Sequence, residues 1–470
     1  MIPAEWLRGE IAVVGLGKSG QGASLLLARA GARVYASDAG TSEAVETGAA
    51  ALRAEGIAAE CGRHDLDRIA RATLVVASPG VPPDAPPLAR AREHGVPIVS
   101  EIEIGLRALP ARTRCIAVTG TNGKTTTTAM IGHLLRALGA DAVDAGNIGT
   151  PLTEVALAER PPAWVALEMS SFQLHDTPGL APVVGVVTNL SPDHLDRYAS
   201  VDDYYADKAL LFRNASASSR WVLNADEREV LELPSRLARM DGIPKGFAPV
   251  AGTGYGFSVS RESDAWYDRA REALVVLGEP LMPRASLRLF GDHNVANALA
   301  ASLAVMVADP AHATASARAR IASGLAAFRA LAHRLESAGE YGGVLWIDDS
   351  KATNVSSTLV ALQGMTRPTI VLLGGRHKGE PYTALAEPLR RVGKAVIAYG
   401  EAGALVERDL AGVLPVHRLG FDFGEVVARA RALAAPGDVV LLSPACSSYD
   451  MFRNYVERGD TFKRLAGGAA

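Results

Sequence analysis

The stretch "CIAVTGTNGKTTTTAMIGHLLRAL", residues 115–138, decides how the chain is read. An apolar run enters a short Gly/Asn/Thr loop and leaves it through a helix-like segment. In that segment Met130, Leu134, Leu135 and Leu138 are spaced to line one buried face. Strand, glycine loop and helix in this order suit a phosphate. Glycines let backbone N–H groups converge on phosphate oxygens, and the helix start adds its positive end. The loop is shorter than the usual G-x-x-x-x-G-K pattern. Gly120 is followed by only Thr121 and Asn122 before Gly123, Lys124 and Thr125. Lys124 is placed to reach the β/γ-phosphates of a nucleotide, and the Thr125 hydroxyl to ligate Mg²⁺. A glycine turn that merely starts a helix is the plain alternative, which the Gly-Lys-Thr run disfavours.

The same alternation runs outward in both directions. A chain of 470 residues exceeds one ordinary core, and short Val/Ile/Leu/Ala strands alternate with helical stretches almost throughout. That pattern predicts three consecutive α/β domains with parallel sheets covered by helices. Toward the N-terminus, "IAVVGLGKSGQGASLLLARAGARVYASD" (11–38) runs from a strand into Gly15-x-Gly17-x-x-Gly20, a helix, and a strand ending at Asp38. Toward the C-terminus, "VLWIDDS", "TIVLLGG", "AVIAYG" and "DVVLLSPA" are strands of another doubly wound unit. The expected limits are 1–108, 109–331 and 332–470. Residues 225–290 show no clear pattern.

Composition narrows the function classes. The formal charge of −3 supplies no global positive field to recruit nucleic acid. Cys61, Cys115 and Cys446 are far apart and form no CxxC, so a disulfide frame and a zinc site are both disfavoured. No apolar run is long enough for a membrane span, and the start lacks the basic and apolar regions of a signal peptide. A cytoplasmic protein that acts as a monomer is expected.

Ligands of open α/β sheets collect at the carboxyl ends of strands. Glu168 in "LEMSSFQL" and His194 in "NLSPDHLDRY" both follow apolar strands of the second unit. Glu168 suits a hard cation such as Mg²⁺; either residue could equally cap a helix or sit in the core. Lys208, in "DDYYADKALLF", reads by itself as a surface lysine paired with Asp203 or Asp207. The glycine turn at 15–20 with Asp38 fits a dinucleotide fingerprint, but the same turn holds any diphosphate at a helix N-terminus. A nicotinamide dehydrogenase would rest on the first unit alone, and a P-loop switch ATPase on the second alone. Neither explains the polar motifs of the third.

An ordered set of motifs spans the three units: "TGTNGKTTT", "GNIG" (146–149), "LEMSSFQL", "NLSPDHLDRY", "YYADKALLF", "HNVANALAA", "HRLE", "DDSKATN" and "SPACSSYDMFRNYVERG". The set resembles the Mur ligases of peptidoglycan synthesis. "SSFQL", "DSKATN" and "SPAC" are most similar to the member that adds glutamate to UDP-N-acetylmuramoyl-L-alanine. A sibling ligase with another amino acid, or one extending a folate tail, is the near alternative.

The resemblance implies a Rossmann-like first domain holding UDP rather than NAD, with Gly17, Lys18, Ser19, Asp38 and Ser78 near the nucleotide and Asn147 near the substrate. Ala39 and Gly40 depart from it, because they offer no side-chain hydrogen bond to uridine. It implies an ATP loop of Gly120, Thr121, Asn122, Gly123, Lys124, Thr125 and Thr126, with Asn294, Asn297, Arg334, Asp349 and Lys351 as further ATP contacts. Two Mg²⁺ ions are implied, one on Thr125 and Glu168, the other on His194 and on Lys208 carrying a CO₂-derived carbamate. Thr353, Lys378, Ser448 and Tyr455 match glutamate-binding positions. The implied reaction phosphorylates a carboxylate and lets an amine displace the phosphate.

Overall fold

The computed structural model describes residues 2–193, 197–237 and 250–468. His194 lies outside the described residues. By its contacts the chain divides into two compact units. One comprises Met1–Pro283 with Asn297–Leu325, the other Arg284–Ala296 with Ala326–Ala470.

The first unit carries two sheets. Strands β1 (Glu10–Val14), β2 (Arg33–Asp38), β3 (Ala58–Cys61), β4 (Leu74–Ala77) and β5 (Ile98–Ser100) form a parallel sheet in the order β3-β2-β1-β4-β5. Successive residues of β1 enter different cores: Ile11 and Val13 on one face, Ala12 and Val14 on the other. Both faces are covered, which is why these strands read as continuous apolar runs rather than alternating ones.

The second sheet holds β6 (Arg114–Thr119), β7 (Ala142–Gly146), β8 (Trp164–Glu168), β9 (Val184–Val187), β10 (Arg220–Asn224), β11 (Thr253–Ser258), β12 (Ala265–Asp268), β13 (Ala273–Val276) and β14 (Glu279–Pro283). Their order is β14-β13-β12-β11-β10-β9-β6-β8-β7. The helix Lys124–Ala137 follows β6; Met130, Leu134 and Leu135 are fully buried, while Leu138 caps its end half-buried. The described residues of the patternless stretch thus include strands β11 to β14, ending in the antiparallel run β12-β13-β14. Its hairpin turn uses Leu277 and Gly278, both at positive φ. A leucine there replaces the Asn-Gly or Asp-Gly that announces such a turn.

The second unit's sheet contains β15 (Glu336–Tyr341), β16 (Val344–Asp348), β17 (Thr369–Gly374), β18 (Gly393–Tyr399), β19 (Val416–Arg418) and β20 (Val439–Leu442), ordered β15-β16-β20-β17-β18-β19. All pairs are parallel except β15 with β16. The three cysteines are free, Cys446 buried and the other two half-buried. Among the described residues no helix is long and apolar enough to cross a membrane.

Candidate active site

In the order β9-β6-β8, three neighbouring strands of the second sheet end side by side, and their loops converge. The loop after β6 is the glycine loop. Gly123 sits at the N-cap of the helix Lys124–Ala137 with φ +79. A Cβ there would lie 2.5 Å from Asn297 Oδ1, so backbone conformation and space both require glycine. The Lys124 ammonium folds over its own loop, donating to the carbonyls of Gly120 (2.9 Å) and Thr121 (2.6 Å). Thr125 and Thr126 are buried in the first helical turn.

The segment after β9 pins this loop. Asn189 accepts from Asn122 N–H at 2.7 Å and donates Nδ2 to the Asn122 carbonyl at 2.8 Å. Thr188 Oγ1 donates to that carbonyl at 2.6 Å, and Thr121 N–H donates to the Asn189 carbonyl. Thr188 and Asn189 therefore set the loop's shape. Their place in "TNLSP" at a strand end was the only signal for them.

Lys208 is buried, not on the surface. Its Nζ donates to the Gly120 carbonyl at 2.7 Å and lies 4.6 Å from the centre of the Tyr204 ring. Two lysine ammoniums thus meet at one carbonyl. Burial, and then the neighbouring Lys124 charge, hold the Lys208 amine well below the usual lysine range. Glu168, at the end of β8, is fully buried. Its Oε1 accepts from Asn147 Nδ2 at 2.8 Å, while Oε2 is buried with no hydrogen-bond partner among the described residues. Asn147 also donates its N–H to the Glu168 carbonyl. A buried carboxylate oxygen left without a donor fits a cation, and Glu168 with the Thr125 hydroxyl offers oxygen ligands of the kind Mg²⁺ takes.

At the first sheet, Leu16 N–H donates to Asp38 Oδ2 (2.7 Å), and Gly40 N–H to Asp38 Oδ1 (2.7 Å). Ser78 Oγ donates to the Gly15 carbonyl at 3.1 Å. Asp38 and Ser78 hold the glycine turn in shape, and Gly17 caps the helix beginning at Lys18 and Ser19. The expected UDP-site residues lie at one end of this sheet.

In the second unit the ends of β16, β20 and β17 are neighbours. Lys351 donates to the Tyr455 hydroxyl at 3.0 Å, and Lys378 to Thr353 Oγ1 at 3.4 Å. Ser448 is buried in the segment that follows β20. Arg458, unremarked in the sequence, is fully buried. It donates to Ser350 Oγ (3.0 Å), the Ser350 carbonyl (2.8 Å) and the Cys446 carbonyl (3.1 Å), tying the loops that follow β16 and β20.

Arg334 lies between two non-glycine residues in the left-handed region, His333 (φ 61) and Leu335 (φ 46). Such backbone persists only where its surroundings enforce it. Lys351 N–H bonds the His333 carbonyl, Leu335 N–H bonds Asp349 Oδ1, and His333 Nδ1 faces Asp348 Oδ2 at 2.7 Å. His333, Glu336 and Asp348 have metal-ligand spacing, but Lys463 Nζ already lies 3.1 Å from Glu336 and 4.0 Å from Asp348. A lysine supplies the cation there. Asn294 and Asn297 lie one turn apart on the helix Asp292–Ala308, and Asn297 Oδ1 accepts from Thr127 Oγ1 at 3.1 Å.

Burial pushes the Asp349 carboxyl up to about 7, although Ser443 and Arg334 pull the other way. The unfolded chain ionises near the ordinary 3.8, so the folded chain keeps an extra proton between those values. Stability from this group is fully present below about pH 4 and is lost as pH rises toward about 7. Asp349→Asn, neutral throughout, should melt above the parent chain at about pH 8 and alongside it at about pH 4. Thermal denaturation across that range checks this; a pH-independent gap would exclude the buried carboxyl as cause.

Three family models match the chain: "Mur ligase MurD-like, N-terminal domain" over residues 9–100, "Mur ligase middle domain" over 118–305, and "Mur ligase, glutamate ligase domain" over 333–446. The chain belongs to the Mur ligase family. Among curated relatives, UDP-N-acetylmuramoylalanine--D-glutamate ligase of Acidobacterium capsulatum is 38% identical over 97% of this chain and 95% of its own. The protein of the same name from Anaeromyxobacter dehalogenans is 41% identical over 97% of both chains. The fold is shared with the solved UDP-N-acetylmuramate-alanine ligase of Thermotoga maritima: TM-score 0.60 and 21% identity, covering 98% of this chain and all of that one.

Proposed function

We propose that this chain joins D-glutamate to UDP-N-acetylmuramoyl-L-alanine at the expense of ATP, in cytoplasmic peptidoglycan precursor synthesis, and that it acts as a monomer. The observation that carries the reading is the cluster at the strand ends: Lys124 and Lys208 on the Gly120 carbonyl, beside a buried Glu168 with one unpartnered oxygen. The family and the curated relatives select the substrates.

A carboxylate is a poor electrophile until phosphorylated. Lys124 and the N–H groups of residues 120–126 hold the ATP phosphates, and Asn294, Asn297, Arg334, Asp349 and Lys351 complete the ATP contacts. Thr125 and Glu168 would hold one Mg²⁺; His194 and a Lys208 carbamate would hold another. Bound there, the cations offset repulsion between the substrate carboxylate and the γ-phosphate. Gly17, Lys18, Ser19, Asp38 and Ser78 take the UDP end of the substrate and Asn147 its far part. The proposed domain limits are 1–108, 109–331 and 332–470. Phosphate release from ATP with UDP-N-acetylmuramoyl-L-alanine, scanned over D- and L-amino acids, tests the reading. Release with an amino acid other than D-glutamate, or with none, would overturn it.

Lys378 supplies the cation for the incoming glutamate's side-chain carboxylate, with Thr353 and Ser448 as hydroxyl donors and Tyr455 beside them. A hydrogen bond to a charged group contributes about 1.5–3 kcal/mol. Lys378→Ala should therefore lower kcat/KM for glutamate by about 10- to 150-fold. KM for ATP should change far less, and unchanged KM for glutamate with intact kcat would remove Lys378 from this role.

A further inference from the structure

The short helix Leu152–Leu157 has Pro151 at its N-cap and no side-chain cap of its own. Its free N–H groups are met instead by Glu101, the first residue of the helix Glu101–Ala108. Glu101 Oε2 lies 3.2 Å from Thr153 N and 3.0 Å from Thr153 Oγ1. The Thr153 hydroxyl in turn lies 3.3 Å from the Ser19 carbonyl, in the first turn of the helix Lys18–Arg29. Glu101 and Thr153 are both buried, and Glu101 Oε1 has no hydrogen-bond partner among the described residues.

A hydroxyl has one proton and cannot donate to Glu101 and Ser19 together. A neutral Glu101 resolves this: its O–H donates to Thr153 Oγ1, which donates to the Ser19 carbonyl. Burial raises the Glu101 pKa toward that form, against the opposing pull of Thr153 and Leu152. The packing is equally specific. A Cβ on Gly22 would lie 2.6 Å from Thr153 Oγ1, and one on Gly105 would lie 2.8 Å from Leu152 Cγ. The helix Leu152–Leu157 therefore nests into a glycine notch on each of two helices that belong with the first sheet.

The other end of this connection is Glu168. Asn147, just upstream of the same short helix, holds both the Glu168 carbonyl (3.0 Å) and its Oε1 (2.8 Å). We propose that Glu101 is a positioning residue that fixes the spacing between the phosphate turn at Ser19 and the Glu168 end of the ATP site, through Thr153 and Asn147. A substrate held by its diphosphate at the first then brings its carboxylate to the second; this rests on the ligase reading above.

The test compares binding of UDP and of UDP-N-acetylmuramoyl-L-alanine by calorimetry, together with kcat. UDP touches only the first site, so Glu101→Ala should leave its affinity within about twofold. The extra affinity of the full substrate over UDP should shrink, and kcat should fall by about 100-fold, the scale of a misplacement near 1 Å. Glu101→Gln is uncharged and can keep its amide oxygen as acceptor for Thr153 N–H and Oγ1, so it should retain both properties. A merely structural role would lower the melting temperature of Glu101→Ala and leave the affinity gain and kcat in place, which would overturn the proposal. Should Glu101→Ala not fold, Thr153→Val removes the linking hydroxyl at similar volume and is judged by the same two readouts. If the parent chain itself binds the full substrate no better than UDP, the ligase reading falls; if the parent shows the gain and the variant keeps it, only the positioning role falls.

Discussion

Lys208→Met is expected to lose turnover by about 10²- to 10³-fold or more, the scale of removing one preorganised charge-stabilising group, while its melting temperature holds or rises. The two halves of that result have one cause. Lys208 is buried, and its ammonium shares the Gly120 carbonyl with Lys124. Desolvation and the Lys124 charge both favour the neutral amine, which is the nucleophile that CO₂ requires. Adding the neutral amine to CO₂ forms the N–C bond and releases the amine proton, and the carbamate would place an anionic oxygen ligand near Lys124. An apolar side chain of similar length removes the desolvation penalty but supplies no ligand. A ¹³C-labelled bicarbonate experiment should give a carbamate signal in the parent chain and none in the variant. Short carboxylic acids should restore part of the rate to Lys208→Ala by occupying the vacated oxygen positions. Parental turnover in Lys208→Met would return this residue to a structural role.

Glu168→Gln should raise the Mg²⁺ concentration for half-maximal activity by at least about 100-fold, the upper range seen when even outer partners of a metal site are changed. The amide can still accept from Asn147 through one oxygen, so the contact at 2.8 Å survives. What disappears is the charge on the second oxygen, which is buried and has no donor among the described residues. Excess Mg²⁺ should recover part of the rate, because the site is weakened rather than filled. If the variant melts lower but its Mg²⁺ dependence is parental, Glu168 is a core carboxylate held by Asn147.

Local order along the chain was enough for the alternation of strands and helices, for the glycine loop at 120–125, and for Glu168 as a strand-end polar residue, whereas residues 349–353 and 448 were singled out through the family resemblance. These are short-range features: a strand needs its own apolar run, and a phosphate loop needs its own glycines and helix start. The hairpin at Leu277–Gly278 escaped the sequence because tertiary context holds a leucine where the turn prefers Asn or Asp. Lys208 illustrates the deeper limit. Its own helix is polar and aromatic, and nothing within it signals burial; the strand end at Gly120, 88 residues away, takes its ammonium out of water. The same holds for Asn189 on Asn122, for Arg458 on Ser350 and Cys446, and for Glu101 on Thr153, each pair joined only by folding. Residue type along the chain determined which chemistry was available. Burial and cross-chain hydrogen bonds, which set a side chain's charge and aim, were decided by the tertiary structure alone.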